Sequence, residues 1–201
     1  MLLVNFVGAP GAGKTTMMAG AYFEMKIAGW DVECIHEASK ERILENDQFT
    51  LSNEILLFAE KLRRALRLNN IDVALTDCSL RQSAYYAEGQ FGLLGEQFFR
   101  EVSESFDNIY VIVDRTHAYV PEGRMDEHSA DLAGEAIVAD IKATDAPCIV
   151  VPGHRSSLPE ILAFIEAEAH RRGRVARFTP SESQRQGSVA PNSGTEPPTA
   201  L

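Results

Sequence analysis

GAPGAGKTT, residues 8–16, is the stretch whose reading decides the fold. Gly8, Gly13, Lys14 and Thr15 fill every required position of the G-x-x-x-x-G-K-[ST] phosphate-binding loop, or P-loop. Glycines at 8, 11 and 13 let the backbone wrap close around anionic oxygens, because no Cβ blocks the approach or forbids positive φ. The backbone of Gly8, Ala9, Pro10, Gly11, Ala12 and Gly13, whose amides other than at Pro10 can point inward, then forms a nest for phosphates, continued by Lys14, Thr15 and Thr16. Lys14 places its ammonium at the β- and γ-phosphates, and the Thr15 hydroxyl can ligate Mg²⁺. The motif therefore names its ligand, a nucleoside triphosphate with Mg²⁺.

The flanking sequence supplies the context that the motif requires. Leu2 to Val7 is a short apolar run suited to a buried parallel strand. Residues Thr16 to Ala28 read as a helix closed by Gly29 at C′, so the helix N-terminus faces the phosphates. Four further strands are expected at Val32–His36, Val73–Asp77, Ile109–Val113 and Cys148–Val151. Between them lie helical patterns. Asn53 is placed to cap a helix with an apolar stripe at Ile55, Phe58, Leu62 and Leu66. Further helices are expected over Gly95–Phe106 and Ala130–Ala143, and a last one to Arg172 opened by a Ser157–Glu160 capping box.

Strands alternating with helices predict a three-layer α/β P-loop NTPase fold with a central parallel sheet of about five strands. The domain is expected to span residues 1–177. From 178 to 201 the composition turns to Ser, Gln, Pro, Gly and Thr, the signature of a disordered tail. A length of 201 residues suits one such domain. No apolar run is long enough to span a bilayer, and a leader peptide would overlap the loop at Gly8. Cys34, Cys78 and Cys148 are odd in number and widely spaced, which points to a reducing cytoplasm. The net charge of −10 argues against a protein that grips long nucleic acid, unless positive potential is confined to one cleft. Lys14, Arg81, Arg115, Arg124 and Arg155 are the candidates for such confinement.

In parallel sheets the ligand lies beyond the carboxyl ends of the strands, so the residues just after each strand carry the chemistry. Glu37, after the second strand, stands where it could accept a proton from a substrate hydroxyl; it could equally be a solvated residue opening a helix. Asp77, after the third, is placed to share Mg²⁺ with Thr15, the other reading being a helix cap. After the fourth strand, residues 114–124 carry Arg115 and Arg124 in a polar stretch. It reads as a lid over about 115–128 whose arginines spread donors over the phosphoryl oxygens, or as a plain surface turn. Arg155, in the loop after the fifth strand, could lie against the nucleotide base, or simply in a strand-to-helix connection.

Four stretches, GAPGAGKTT, VECIHEASKERI, VALTDCSL and RTHAYVPEGR with its following acidic helix, give the chain a recognisable look; FAEKLRR at 58–64 adds to it. It resembles the small P-loop kinase-like proteins, many encoded by bacteriophages, that are related to nicotinamide-riboside kinase and the deoxynucleoside kinases. The resemblance implies a nucleoside/nucleotide-kinase-like fold and an ATP- and Mg²⁺-dependent phosphotransferase acting on a nucleoside, a nucleotide or a related ribosyl compound. It implies a general base at Glu37, a metal-associated carboxylate at Asp77, and phosphate contacts from Arg115 and Arg124. Cys78 stands where the resemblance leads one to expect a small hydroxyl residue. ATP and a small-molecule acceptor are the expected partners, in the cytoplasm of a host if the chain is phage-encoded. A second copy of the chain is left open and a membrane is excluded. Two other readings share these residues: a kinase of a hydroxymethylated base in phage DNA, which the negative charge disfavours, and a P-loop ATPase acting on a partner.

Overall fold

A computed structural model describes residues 1–87, 90–120 and 125–177. Five strands form one sheet: β1 (Leu2–Val7), β2 (Val32–Ile35), β3 (Val73–Thr76), β4 (Asp107–Asp114) and β5 (Cys148–Pro152). Their order is β2-β3-β1-β4-β5 and every pairing is parallel. The five expected strands are thus all present, each within two residues of its expected ends. The helices are α1 (Lys14–Ile27), α2 (Ala38–Leu44), α3 (Gln48–Leu51), α4 (Glu54–Leu66), α5 (Gln82–Tyr86), α6 (Gly92–Glu104), α7 (Glu127–Lys142) and α8 (Leu158–Arg171).

Strand alternation sorts β1 between two layers, because successive side chains leave opposite faces of a sheet. Leu2, Val4 and Phe6 pack with Met17, Met18, Ala21 and Met25 of α1 and with Ile161, Ile165 and Ala169 of α8. From the other face, Val7 joins Ile137 and Ile141 of α7, while Leu3 joins Ala65 of α4. The outcome is a three-layer α/β sandwich of the P-loop kind. Because β1 is central and all strands run the same way, the residues following β1 to β5 gather along one edge of the sheet. Gly29 closes α1 as expected: φ is 85°, and the amides of Gly29 and Trp30 donate to Lys26 and Met25 carbonyls.

Several local expectations are corrected. The buried stripe of α4 is Glu54, Leu57, Phe58, Lys61 and Ala65, while Ile55 and Leu66 are exposed. Two charged residues sit in that stripe as an ion pair, so apolar periodicity alone assigns the wrong phase to the helix. Asn53 stands at the N-cap but its amide donates to the Phe49 carbonyl instead. The Ser157 capping box does not form, since Ser157 Oγ donates to the Pro152 carbonyl at 2.8 Å and so ties α8 to the end of β5. Helix α7 starts at Glu127, inside the stretch read as lid, because Asp126 accepts the Ser129 amide at 3.0 Å and caps it. The part of the lid at 121–124, with Arg124, lies outside the described residues, as does the stretch 178–201 read as a tail.

Candidate functional site

The loop that follows β1 is shaped by its glycines. Gly8 has φ 139°, and a Cβ there would stand 2.4 Å from the Val113 carbonyl oxygen of β4, so no other residue fits. Gly13, at φ 88°, turns the chain into α1 with its amide end toward the loop. Other elements press in from outside. Gly134 of α7 lies so close to Ala9 that a Cβ would meet the Ala9 Cβ at 2.6 Å, and a Cβ on Gly153, after β5, would meet the Ala12 carbonyl at 2.4 Å. Neither contact leaves a sequence signal beyond the glycine itself. Lys14 curls back over the loop, its Nζ donating to the carbonyls of Gly8 at 3.1 Å and Ala9 at 2.9 Å. Thr16 is exposed, one residue into the helix beyond Thr15.

Asp77 follows β3, the strand paired with β1, and its side chain is 1% exposed. The Thr15 hydroxyl donates to Asp77 Oδ2, whereas Asp77 Oδ1 is buried without a hydrogen-bond partner. Asp77 caps no helix, since α5 begins only at Gln82. A hydroxyl and a carboxylate with a lone pair to spare are hard oxygen donors that fit Mg²⁺. Among the described residues no three His, Cys, Asp or Glu side chains make a metal cage.

Glu37 stands at the junction of β2 and α2. Its side chain makes no cap hydrogen bond and instead accepts from Ser39 Oγ at 2.5 Å. Arg64 of α4 fixes this junction: it donates to the His36 carbonyl at 3.0 Å and pairs with Glu41 and Glu60. Hydrogen bonds from Arg63 and Arg64 pull the Glu60 carboxyl down to about 2, so this clamp stays charged at any ordinary pH. Lys40, one turn into α2, reaches across to Thr15 Oγ1, to Asp77 Oδ2 at 3.3 Å and to Glu37 Oε2 at 3.5 Å. Lys40 carries no sequence signal of its own, since a lysine inside a helix ordinarily reads as a solvated side chain.

A cavity of about 430 Å³ opens from this point. Lys14, Asp77 and Glu37 stand in its wall together with Gln82, Tyr86 and Gln90. Within it Lys61 Nζ donates to Glu54 Oε1 and to Ser83 Oγ, both at 2.9 Å. Burial pulls the Lys61 ammonium toward neutrality, but the negative groups around it, Glu54 and Glu37 among them, outweigh burial and raise its pKa. Cys78 also lines the cavity, and burial pushes its thiol up to about 11, so it stays a neutral side chain of nearly hydroxyl size. The pair at 54 and 61 was legible only as two residues seven apart on one helical face.

The arginines are less uniform. Arg115 follows β4 and pairs with Asp131 and Glu127 of α7, with its guanidinium 5.0 Å from the Tyr119 ring centre. Tyr119 in turn lies on the loop, close to Gly11, and donates its hydroxyl to the Met125 carbonyl at 2.6 Å. Arg115 Nη1 is buried without a partner. Arg155 is exposed on a single turn of 3₁₀ helix after β5. Arg81 belongs to another place: it bonds Asp140 at 2.6 Å and Glu104 at 2.7 Å, consumed by a structural network between α6 and α7. The expectation that it adds positive potential to the cleft is corrected accordingly.

No protein-family model matches the chain, and comparison with curated proteins yields no relative. Among solved structures the fold is similar to that of thymidylate kinase from Ehrlichia chaffeensis, with a TM-score of 0.56 at 17% identity. The alignment covers 82% of this chain and 98% of that one. At this identity the likeness speaks to the fold alone. No helix among the described residues is long and apolar enough to cross a membrane.

Proposed function

We propose that this protein transfers the γ-phosphoryl group of ATP to a hydroxyl of a nucleoside, a nucleotide or a related ribosyl compound. One observation carries the reading. The cavity that starts at Lys14 and Asp77 runs past Glu37 into a pocket of hydrogen-bonding side chains. A pure hydrolase needs room for a water beside the phosphates. A wall of Glu54, Lys61, Gln82, Tyr86 and Gln90 behind the general base is what a second, polar substrate needs. The likeness of the fold to a thymidylate kinase agrees with a phosphotransferase.

Each residue then has a task. The amides of residues 8–16 and the Lys14 ammonium hold the β- and γ-phosphates. Thr15 and Asp77 would hold the divalent ion, which when bound neutralises charge on the β- and γ-oxygens. Glu37 Oε2 accepts the proton that the attacking hydroxyl loses as its oxygen bonds to phosphorus. Leaving its partners on α7, Arg115 can turn its unpartnered Nη1 to the transferring group, while Tyr119 shields the loop from water. Arg155, exposed after β5, is assigned to the base side of the nucleotide. Three thiols with no disulfide, Cys34, Cys78 and Cys148, suit a reducing cytoplasm, and that of a phage-infected host fits the resemblance.

The test is a panel of acceptors offered with γ-labelled ATP: free nucleosides, nucleoside monophosphates and duplex DNA carrying hydroxymethylated bases. Label arriving on a nucleoside or nucleotide supports the reading. Label arriving only on the DNA replaces it with a base kinase, and ADP formation indifferent to every acceptor replaces it with an ATPase.

A further inference from the structure

Lys40 Nζ occupies the position that a metal on this loop would need. It is hydrogen-bonded to Thr15 Oγ1 and lies 3.3 Å from Asp77 Oδ2, the oxygen to which the Thr15 hydroxyl itself donates, so the ammonium caps the pair of candidate donors. An ion of Mg²⁺ size binds oxygen at about 2.0–2.1 Å. Lys40 leaves Asp77 Oδ1 open, but an ion bound there through Thr15 and Asp77 would meet the ammonium at close range, so like charge and crowding set the two cations against one another.

The charge around the position explains why an ammonium belongs there. Asp77 and Glu37 bring two carboxylates to one point, with Lys40 3.5 Å from Glu37 Oε2. Without Lys40 this would be a dicarboxylate beside a hydroxyl, an attractive place for any free divalent ion. With Lys40 the pair carries one net negative charge. An arriving triphosphate changes that sum, because its oxygens add several negative charges and complete the ligand set for a metal. Lys40 sits in the first turn of a short helix with its side chain 36% exposed, so it can withdraw without unpacking the core.

We propose that Lys40 is a displaceable counter-ion that reserves the Thr15–Asp77 position for metal arriving with nucleotide. Free divalent ion then binds poorly and the nucleotide complex binds well. Withdrawn toward Glu37, the ammonium stays beside the candidate base. This inference rests on the reading of Thr15 and Asp77 as metal donors, but not on transfer to any acceptor.

The experiment titrates Mn²⁺ into the full chain without nucleotide or acceptor, following free ion by electron paramagnetic resonance. Lys40→Met should bind Mn²⁺ roughly tenfold or more tightly than the parent, since a unit charge within about 4 Å is a large electrostatic perturbation near a protein surface. Lys40→Arg should stay weak. The double variant Lys40→Met/Asp77→Asn should lose the gain. Equal or weaker binding by folded Lys40→Met, checked by circular dichroism, overturns the proposal, and so does a gain that survives loss of Asp77. Because no phosphoryl transfer is measured, failure of the kinase reading leaves this result intact, and the reverse also holds.

Discussion

The two halves of the cleft are built on opposite plans. The nucleotide half is a backbone site: nine consecutive residues whose glycines permit the shape, buttressed by β4, α7 and the loop after β5. The proposed acceptor half is a side-chain site, spread from Glu37 to Gln90 over α2, α3, α4, α5 and the ends of two strands. A backbone site is rigid and indifferent to most neighbours, so it binds what all triphosphates share. Side chains on separate helices can be exchanged one at a time, which places specificity in the second half. Substitutions in the two halves should therefore fail differently.

The largest effect is expected in the first half. Lys14→Ala should reduce phosphoryl transfer to background with the fold intact, because Lys14 supplies charge to the phosphates and no packing. Turnover near the parent rate in a folded variant would undo the comparison. Arg115→Ala is expected next, lowering kcat by about 10²–10³-fold with a smaller change in the KM for ATP. A raised KM with kcat intact would instead make Arg115 a buttress that holds Tyr119 on the loop. Asp77→Asn should cost about 10–100-fold in Mg²⁺ affinity of the nucleotide complex, read by metal titration, and should spare metal-free nucleotide binding.

Behind Glu37, the helix side chains of the acceptor half should respond more mildly in activity and more severely in stability. Lys61→Met alone leaves Glu54 buried and unpaired, at a cost of about 3–5 kcal/mol in denaturant unfolding. Glu54→Leu/Lys61→Met should recover that loss. If the pair reads the acceptor, the recovered protein still shows a roughly tenfold higher acceptor KM with an unchanged KM for ATP. Full recovery of both constants would make the pair purely structural.

This contrast also explains what could be read without coordinates. The sheet was legible because five apolar runs of strand length alternate with helices, and the loop because its pattern is contiguous. Glu37 and Asp77 were singled out as candidates by a topological rule, that ligands lie beyond the carboxyl ends of parallel strands. Lys40, Lys61 and Glu54 were not, since they sit within helices where charge ordinarily means solvent. The stripe of α4 was misassigned for the same reason: hydropathy cannot tell a buried ion pair from a solvated one. Arg81 misled in the opposite sense, a cation after β3 that turns away to Asp140 and Glu104. Gly134 and Gly153 hold the loop from outside, but their purpose lies in contacts with Ala9 and Ala12 more than a hundred residues away in sequence.

The central claim is that the second half presents a hydroxyl to Glu37, and two rates on one variant test it most directly. Glu37→Gln keeps the shape and the Ser39 hydrogen bond while removing the base. Acceptor phosphorylation should fall by roughly 10²–10⁴-fold, the contribution of a positioned general base. Acceptor-free ADP release, which does not use that hydroxyl, should change far less. A parallel fall in both rates would contradict the account and assign Glu37 to metal or water, and no fall in either would leave it only the first residue of a helix.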